Sequence, residues 1–196
     1  IGGREWKLVT QGTAGGAPRT LVPSLKGVTL TWAEDGQRYA FGRDGKVWIG
    51  SIADTTRRQI LGAVGEPRAG AAAAANADTT VEAKALREKE RFTVSRWSPA
   101  GDALLASNRD GLWLVNASSG SKEMIAALPD SNSLAPRPQL TAWSQDGRYL
   151  YFSVNSRTKW ERAISRYDRQ SKQRTDLLKD ARLYSGLRLS KDGSTA

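Results

Sequence analysis

Short apolar runs alternate with polar turns along this chain, and the alternation recurs. Val28-Thr29-Leu30-Thr31-Trp32, Phe92-Thr93-Val94-Ser95-Arg96-Trp97 and Leu140-Thr141-Ala142-Trp143 are β-prone, and each ends on tryptophan. A tight turn follows each: Glu34-Asp35-Gly36, Pro99-Ala100-Gly101 and Gln145-Asp146-Gly147. Glycine accepts positive φ there, and Pro99 presets its own φ. A second apolar run comes next: Arg38-Tyr39-Ala40-Phe41, Ala103-Leu104-Leu105-Ala106 and Arg148-Tyr149-Leu150-Tyr151-Phe152. The last of these is apolar at both alternating positions, which predicts cover on both faces.

The pattern extends through another hairpin. Arg43-Asp44-Gly45 leads into Val47-Trp48-Ile49, and Arg109-Asp110-Gly111 leads into Leu112-Trp113-Leu114-Val115. In the third copy a longer connection, Asn155 to Lys159, precedes Trp160 and the run Ala163 to Tyr167. Gln59-Ile60-Leu61, Glu123-Met124-Ile125 and Asp176-Leu177-Leu178 supply a last short strand. Each unit is therefore four antiparallel strands, a to d. Trp97 to Trp143 is 46 residues, and Trp143 to Leu189, which opens a fourth Leu-Ser-Lys-Asp-Gly copy, is again 46.

A four-stranded unit at this period predicts an all-β chain, a segment of a β-propeller with about three full blades and partial blades at both ends. One blade cannot cover both its faces, so neighbours must stack. The expected organisation of the single domain 1–196 is a partial blade at 1–27, blades at 28–61, 92–128 and 138–178, and the start of another at 184–196. Trp32, Trp97 and Trp143 are expected in the core between blades, with base stacking as the minor reading. Because the chain begins and ends inside repeats, a piece of a larger propeller is expected rather than a closed four-blade ring. Residue 1 is Ile, so a signal peptide would lie out of view and the compartment stays open.

Residues 62–91 break the pattern. Gly62 to Asn76 is rich in Gly and Ala and reads as a loop. Thr79 and Glu82 offer a capping box, and Lys84 to Glu90 are good helix formers, which predicts a short helix within 79–91. The insert joins strand d of one blade to strand a of the next. Strand order puts it on the face of the b–c turns, where Arg43, Arg109, Arg157 and Lys159 fall. The functional reading is a lid beside a substrate or docking face. The plain reading is a tolerated loop, with each Arg pairing with its local Asp44 or Asp110.

Composition narrows the chemistry. The 196 residues contain no His and no Cys. A Ser-His-Asp triad, a His base, a thiolate nucleophile and a zinc-thiolate site are therefore excluded within this chain. No calcium loop, phosphate loop or other cofactor motif appears, and the Gly12–Gly16 stretch lacks the Lys-Ser/Thr ending. Asp35, Asp146 and Asp192 read as turn punctuation, so no metal is expected. No run reaches the roughly 18 apolar residues of a membrane span. Thirty basic against twenty acidic residues give +10, with twelve against six in 143–196. Those cations are spread among acids and apolar residues, so nucleic acid is not the expected partner.

The W-S-x-D-G turns, the RYLYF-type strand and the DG-x-x-W hairpin resemble TolB-like and dipeptidyl-peptidase-type propeller repeats. Overall the chain, apart from 62–91, resembles the N-terminal propeller of the prolyl oligopeptidase family of serine peptidases. That resemblance implies a propeller that gates peptide access to a C-terminal α/β-hydrolase domain outside this chain. It implies two partners, that domain and a peptide substrate. None of the family's catalytic residues can be placed here: there is no G-x-S-x-G elbow. Its paired-Glu motif is not matched by Glu88-Lys89-Glu90. The rival reading is a TolB-like or scaffold propeller that binds protein partners.

Overall fold

The computed structural model describes residues 6–62, 81, 88–129, 134–184, 186 and 188–190. Two short strands come first, β1 (Leu8–Thr10) and β2 (Arg19–Val22). Then follow β3 (Thr29–Trp32), β4 (Arg38–Arg43), β5 (Lys46–Ser51) and β6 (Arg57–Leu61). The next four are β7 (Thr93–Trp97), β8 (Ala103–Ser107), β9 (Gly111–Asn116) and β10 (Lys122–Ala127). The last four are β11 (Arg137–Trp143), β12 (Tyr149–Asn155), β13 (Arg162–Asp168) and β14 (Gln173–Leu178). β1 and β2 form a hairpin, and the other twelve form three four-stranded antiparallel sheets in simple chain order.

The turns explain why the sheets form where they do. In two copies the serine after tryptophan is a buried anchor. Ser98 Oγ accepts the Ala103 N–H at 3.1 Å and donates to Asp102 at 2.6 Å. Ser144 Oγ accepts the Tyr149 N–H at 2.8 Å and donates to Asp146 at 2.5 Å. The first copy has Ala33 at that position, and Asp35 instead accepts the N–H groups of Gln37 and Arg38, at 2.8 and 3.1 Å. These bonds hold the Asp35 and Asp146 carboxyls below the usual carboxylate range, led by the Gln37 N–H in one and the Ser144 hydroxyl in the other. The acids are thus turn fasteners. Between β4 and β5, Asp44 and Gly45 both have positive φ, 53° and 79°, the geometry of a two-residue hairpin turn with the matching twist.

Each c–d pairing carries a register irregularity: Val47/Trp48, Met124/Ala126 and Ile164/Ser165. A bulge at that place strengthens the local twist of the outer strand. The b strands are the most buried. Tyr39 to Gly42, Ala103 to Ala106 and Leu150 to Phe152 are all buried, so both faces are covered.

The chain falls into two compact units, Ile1–Arg96 with Ala106–Asn108, and Trp97–Leu105 with Arg109–Ala196. The core of the first is Leu21 and Val22 of β2 against Tyr39 and Phe41 of β4, flanked by Leu8, Leu30 and Trp48. The opposite face of β4 approaches β7, since a Cβ on Gly42 would lie 3.6 Å from the Val94 nitrogen. In the second unit Leu105, Leu112, Ile125 and Ala126 pack on Leu150, Phe152 and Tyr167, with Trp143 against the cluster. Apolar side chains of two adjacent sheets thus share one core, as stacked blades require.

Two expectations meet a different outcome. Trp97 is buried and Trp143 is partly buried, but Trp32 is 41% exposed. It tilts over Tyr39, with ring centroids 5.5 Å apart, and its outer face is open. At the C-terminal end, Gly186, Arg188 and Leu189 are not in a strand, and Gly186 has φ +71°. The preceding Leu183 makes only an isolated parallel bridge to Arg162. Of the helix expected at 79–91, Val81, Glu88 and Lys89 are helical, and most of the rest lies outside the described residues.

Candidate functional site

Arg43 ends β4 and is half-buried. It does not pair with Asp44: its Nη2 donates to the Ser24 carbonyl, which ties β4 to the segment after β2. Beside it lies a cavity of about 320 Å³ lined by Phe41, Arg43, Trp48, Thr55 and Arg57. Phe41 and Trp48 are cross-strand partners, and their rings stack with centroids 6.4 Å apart at 11°. The rim is braced from β2, where Arg19 donates to the carbonyls of Ile52 and Ala53 at 2.8 and 3.0 Å. Asp54 next to the rim is held below the usual carboxylate range by the Thr56 hydroxyl and N–H. Aromatic walls with two guanidinium groups suit an apolar or planar group that carries a carboxylate.

The end of the insert meets this b–c turn. The Phe92 N–H donates to the Gly45 carbonyl at 2.7 Å, and Asn108 Nδ2 donates to the Lys89 carbonyl at 2.6 Å. A Cβ on Gly45 would come within 2.8 Å of the Arg91 Cβ. In the first unit, therefore, the described end of the insert and the b–c turn do share one side.

Arg109 lies in the exposed turn between β8 and β9, whose Asp110 carbonyl accepts the Leu128 N–H at 2.8 Å. Arg157 and Lys159 are exposed on the loop between β12 and β13. That loop is shaped from within: Ser156 Oγ accepts the N–H groups of Thr158 and Lys159 at 3.3 and 3.1 Å. The Ser156 N–H donates to the Glu161 carbonyl at 3.2 Å. Trp160, at the tip between Lys159 and Glu161, is 85% exposed. The structure thus brings Arg157 and Lys159 together on one loop with Trp160, and leaves Arg43 in the other unit. The Phe41–Trp48–Arg57 cavity and the exposed Trp160 were not singled out by sequence. The alternation of β4 and β5 placed Phe41 and Arg43 on one face, and that was the available signal. Among the described residues no three Asp or Glu side chains gather as a metal site would need.

No family profile and no curated protein matches the sequence. Solved structures do. A protein assigned as TolB in Agrobacterium tumefaciens matches with TM-score 0.50 at 15% identity, covering 86% of this chain and 54% of that one. An oligogalacturonate lyase in complex with manganese matches with TM-score 0.51 at 17% identity, covering 89% and 47%. A prolyl endopeptidase matches with TM-score 0.50 at 14% identity, covering 90% and 26%. This chain therefore spans about half or less of those structures. The likeness is one of fold, and with the three four-stranded sheets it defines an all-β propeller segment resembling TolB-like neighbours.

Proposed function

We propose that this segment is the non-catalytic propeller of a serine peptidase of the prolyl oligopeptidase type, gating peptide access and docking on an α/β-hydrolase domain outside this chain. The observation that carries the reading is the b–c loop of the third sheet, an internally bonded loop that presents an exposed Trp160 directly after Arg157 and Lys159. Tryptophan and arginine are enriched among the residues that anchor interfaces, and an exposed tryptophan on a cation-bearing loop suits that role. Arg109, Arg157 and Lys159 supply charge to a neighbouring domain or to an acidic peptide, and Arg43 supplies it beside the aromatic cavity. The prolyl endopeptidase likeness supports the same reading at the level of fold.

A TolB-like scaffold is the second reading, favoured by the likeness to the Agrobacterium protein. The two separate in one assay on the full natural polypeptide. A short peptide and the same sequence held inside a folded protein are offered side by side. Hydrolysis of the free peptide alone supports a gate. Equal hydrolysis of both rejects gating, and hydrolysis of neither favours the scaffold.

A further inference from the structure

Arg57 is a cation without an anion. Among the described residues its guanidinium makes no hydrogen bond and no ion pair. Asp54, three residues before it, is engaged within its own turn, where Oδ1 accepts the Thr56 N–H at 2.7 Å and the Thr56 hydroxyl at 2.6 Å. The Arg57 charge acts on the Tyr39 hydroxyl, which burial keeps neutral at ordinary pH. Arg43, across the same cavity, donates to the Ser24 carbonyl, a neutral group that leaves its charge unmatched.

The sheet puts Arg57 beside the aromatic rings. Phe41 pairs with Trp48, and Gly50 pairs with Arg57. Opposed residues share a face of the ladder, as do residues two apart, so Tyr39, Phe41, Trp48 and Arg57 lie on one side. A Cβ on Gly50 would fall 2.4 Å from the Tyr39 ring and hydroxyl, so the missing side chain is what lets that ring lie across β5. The Phe41 and Trp48 rings are within 11° of parallel and give the cavity a flat apolar wall.

The polar wall is held in place by its own bonds. The Ile52 N–H donates to the Gln37 carbonyl at 2.9 Å, and Ser51 Oγ accepts the Ala53 N–H at 3.1 Å. With Arg19 on the Ile52 and Ala53 carbonyls and Asp54 on Thr56, the c–d turn is braced on both sides of Thr55. Thr55 lines the cavity, and among the described residues its hydroxyl has no hydrogen-bond partner. A wall ordered in advance leaves less ordering to be done on binding.

We propose that this cavity binds an aromatic carboxylate, with the ring against Phe41 and Trp48, the carboxylate on the Arg57 guanidinium and the Thr55 hydroxyl donating to the same group. A planar guanidinium matches a carboxylate, and aromatic faces match a ring. The volume of about 320 Å³ is at the lower end of the ~300–1,000 Å³ of small-ligand sites, room for one ring and its acid. That chemistry comes from a free aromatic acid or from the C-terminal aromatic residue of a peptide. The inference does not rest on the peptidase reading, and a binding measurement without turnover lets the two fail separately.

Calorimetric titration of the full natural polypeptide tests it, with phenylacetate, acetyl-Gly-Phe bearing a free carboxyl group, and neutral phenylacetamide as probes. Phenylacetate or acetyl-Gly-Phe should bind saturably and phenylacetamide should not, and whichever acid binds more tightly names the source. Arg57→Gln breaks no internal bond and should weaken binding about tenfold or more, as expected for a lost charge-assisted contact. Arg58→Gln, one residue along β6 and on its other face, should bind as the wild type does. The proposal is overturned if neither acid binds, if phenylacetamide binds as tightly, if Arg57→Gln binds as the wild type does, or if Arg58→Gln weakens binding equally.

Discussion

Trp97 and Trp32 hold the same place in the repeat but differ in cover, and that difference has a calculable consequence. Trp97 is 3% exposed and Trp32 is 41% exposed. A tryptophan carries ~250 Å² of surface. The extra 38% buried at Trp97 (41 minus 3) is then about 95 Å². At ~25 cal/mol per Å² this is about 2 kcal/mol. Trp97→Ala should cost ~3–5 kcal/mol, as large core aromatics do, and Trp32→Ala about 2 kcal/mol less. Urea unfolding followed by far-UV circular dichroism reads both, and midpoints are compared at equal slope. If the two units unfold in separate transitions, each substitution should move the midpoint of its own unit. Equal costs would refute the reasoning, and a cost below about 1 kcal/mol at Trp97 would mean that it does not lie in a packed core.

Three further outcomes follow from the same geometry. Gly50→Val should cost ~1–3 kcal/mol by overpacking, because its Cβ would fall 2.4 Å from the Tyr39 ring and hydroxyl, and a lowered thermal midpoint checks it. Asp102 is held below the usual carboxylate range, first by the Arg169 guanidinium and then by the Ser98 hydroxyl. A depressed folded-state pKa stabilises fully above the unfolded value of ~3.9, and this stabilisation is lost as pH falls through the folded value. The urea midpoint should therefore drop from about pH 5 to pH 3, and Asp102→Asn should flatten that slope. On the proposed peptidase reading, reversing Arg109 and Arg157 to Glu should lower kcat/KM of the full natural polypeptide for acidic peptides, less so at high salt, with neutral peptides little changed. Equal loss for both peptides rejects steering.

The turns were the legible part of this fold. Trp-Ser-x-Asp-Gly specifies a buried serine hydroxyl closing on a strand N–H, and Asp44-Gly45 specifies a two-residue hairpin, so strand order follows from local chemistry. Burial was legible where a strand is apolar on both faces, as at Leu150 to Phe152. Trp32 escaped because exposure depends on what stacks against a sheet, and a local pattern does not encode that. Arg43 was placed on its strand, but its bond to the Ser24 carbonyl joins segments 19 residues apart and has no sequence signal.

Fluorophosphonate labelling of the full natural polypeptide, with the modified peptide mapped by mass spectrometry, tests the central claim most directly. Without His or Cys, this chain has no triad to activate a serine. The account predicts one labelled serine, lying outside residues 1–196. A labelled serine within residues 1–196 would contradict it, and no label at all would contradict the peptidase reading in favour of the scaffold.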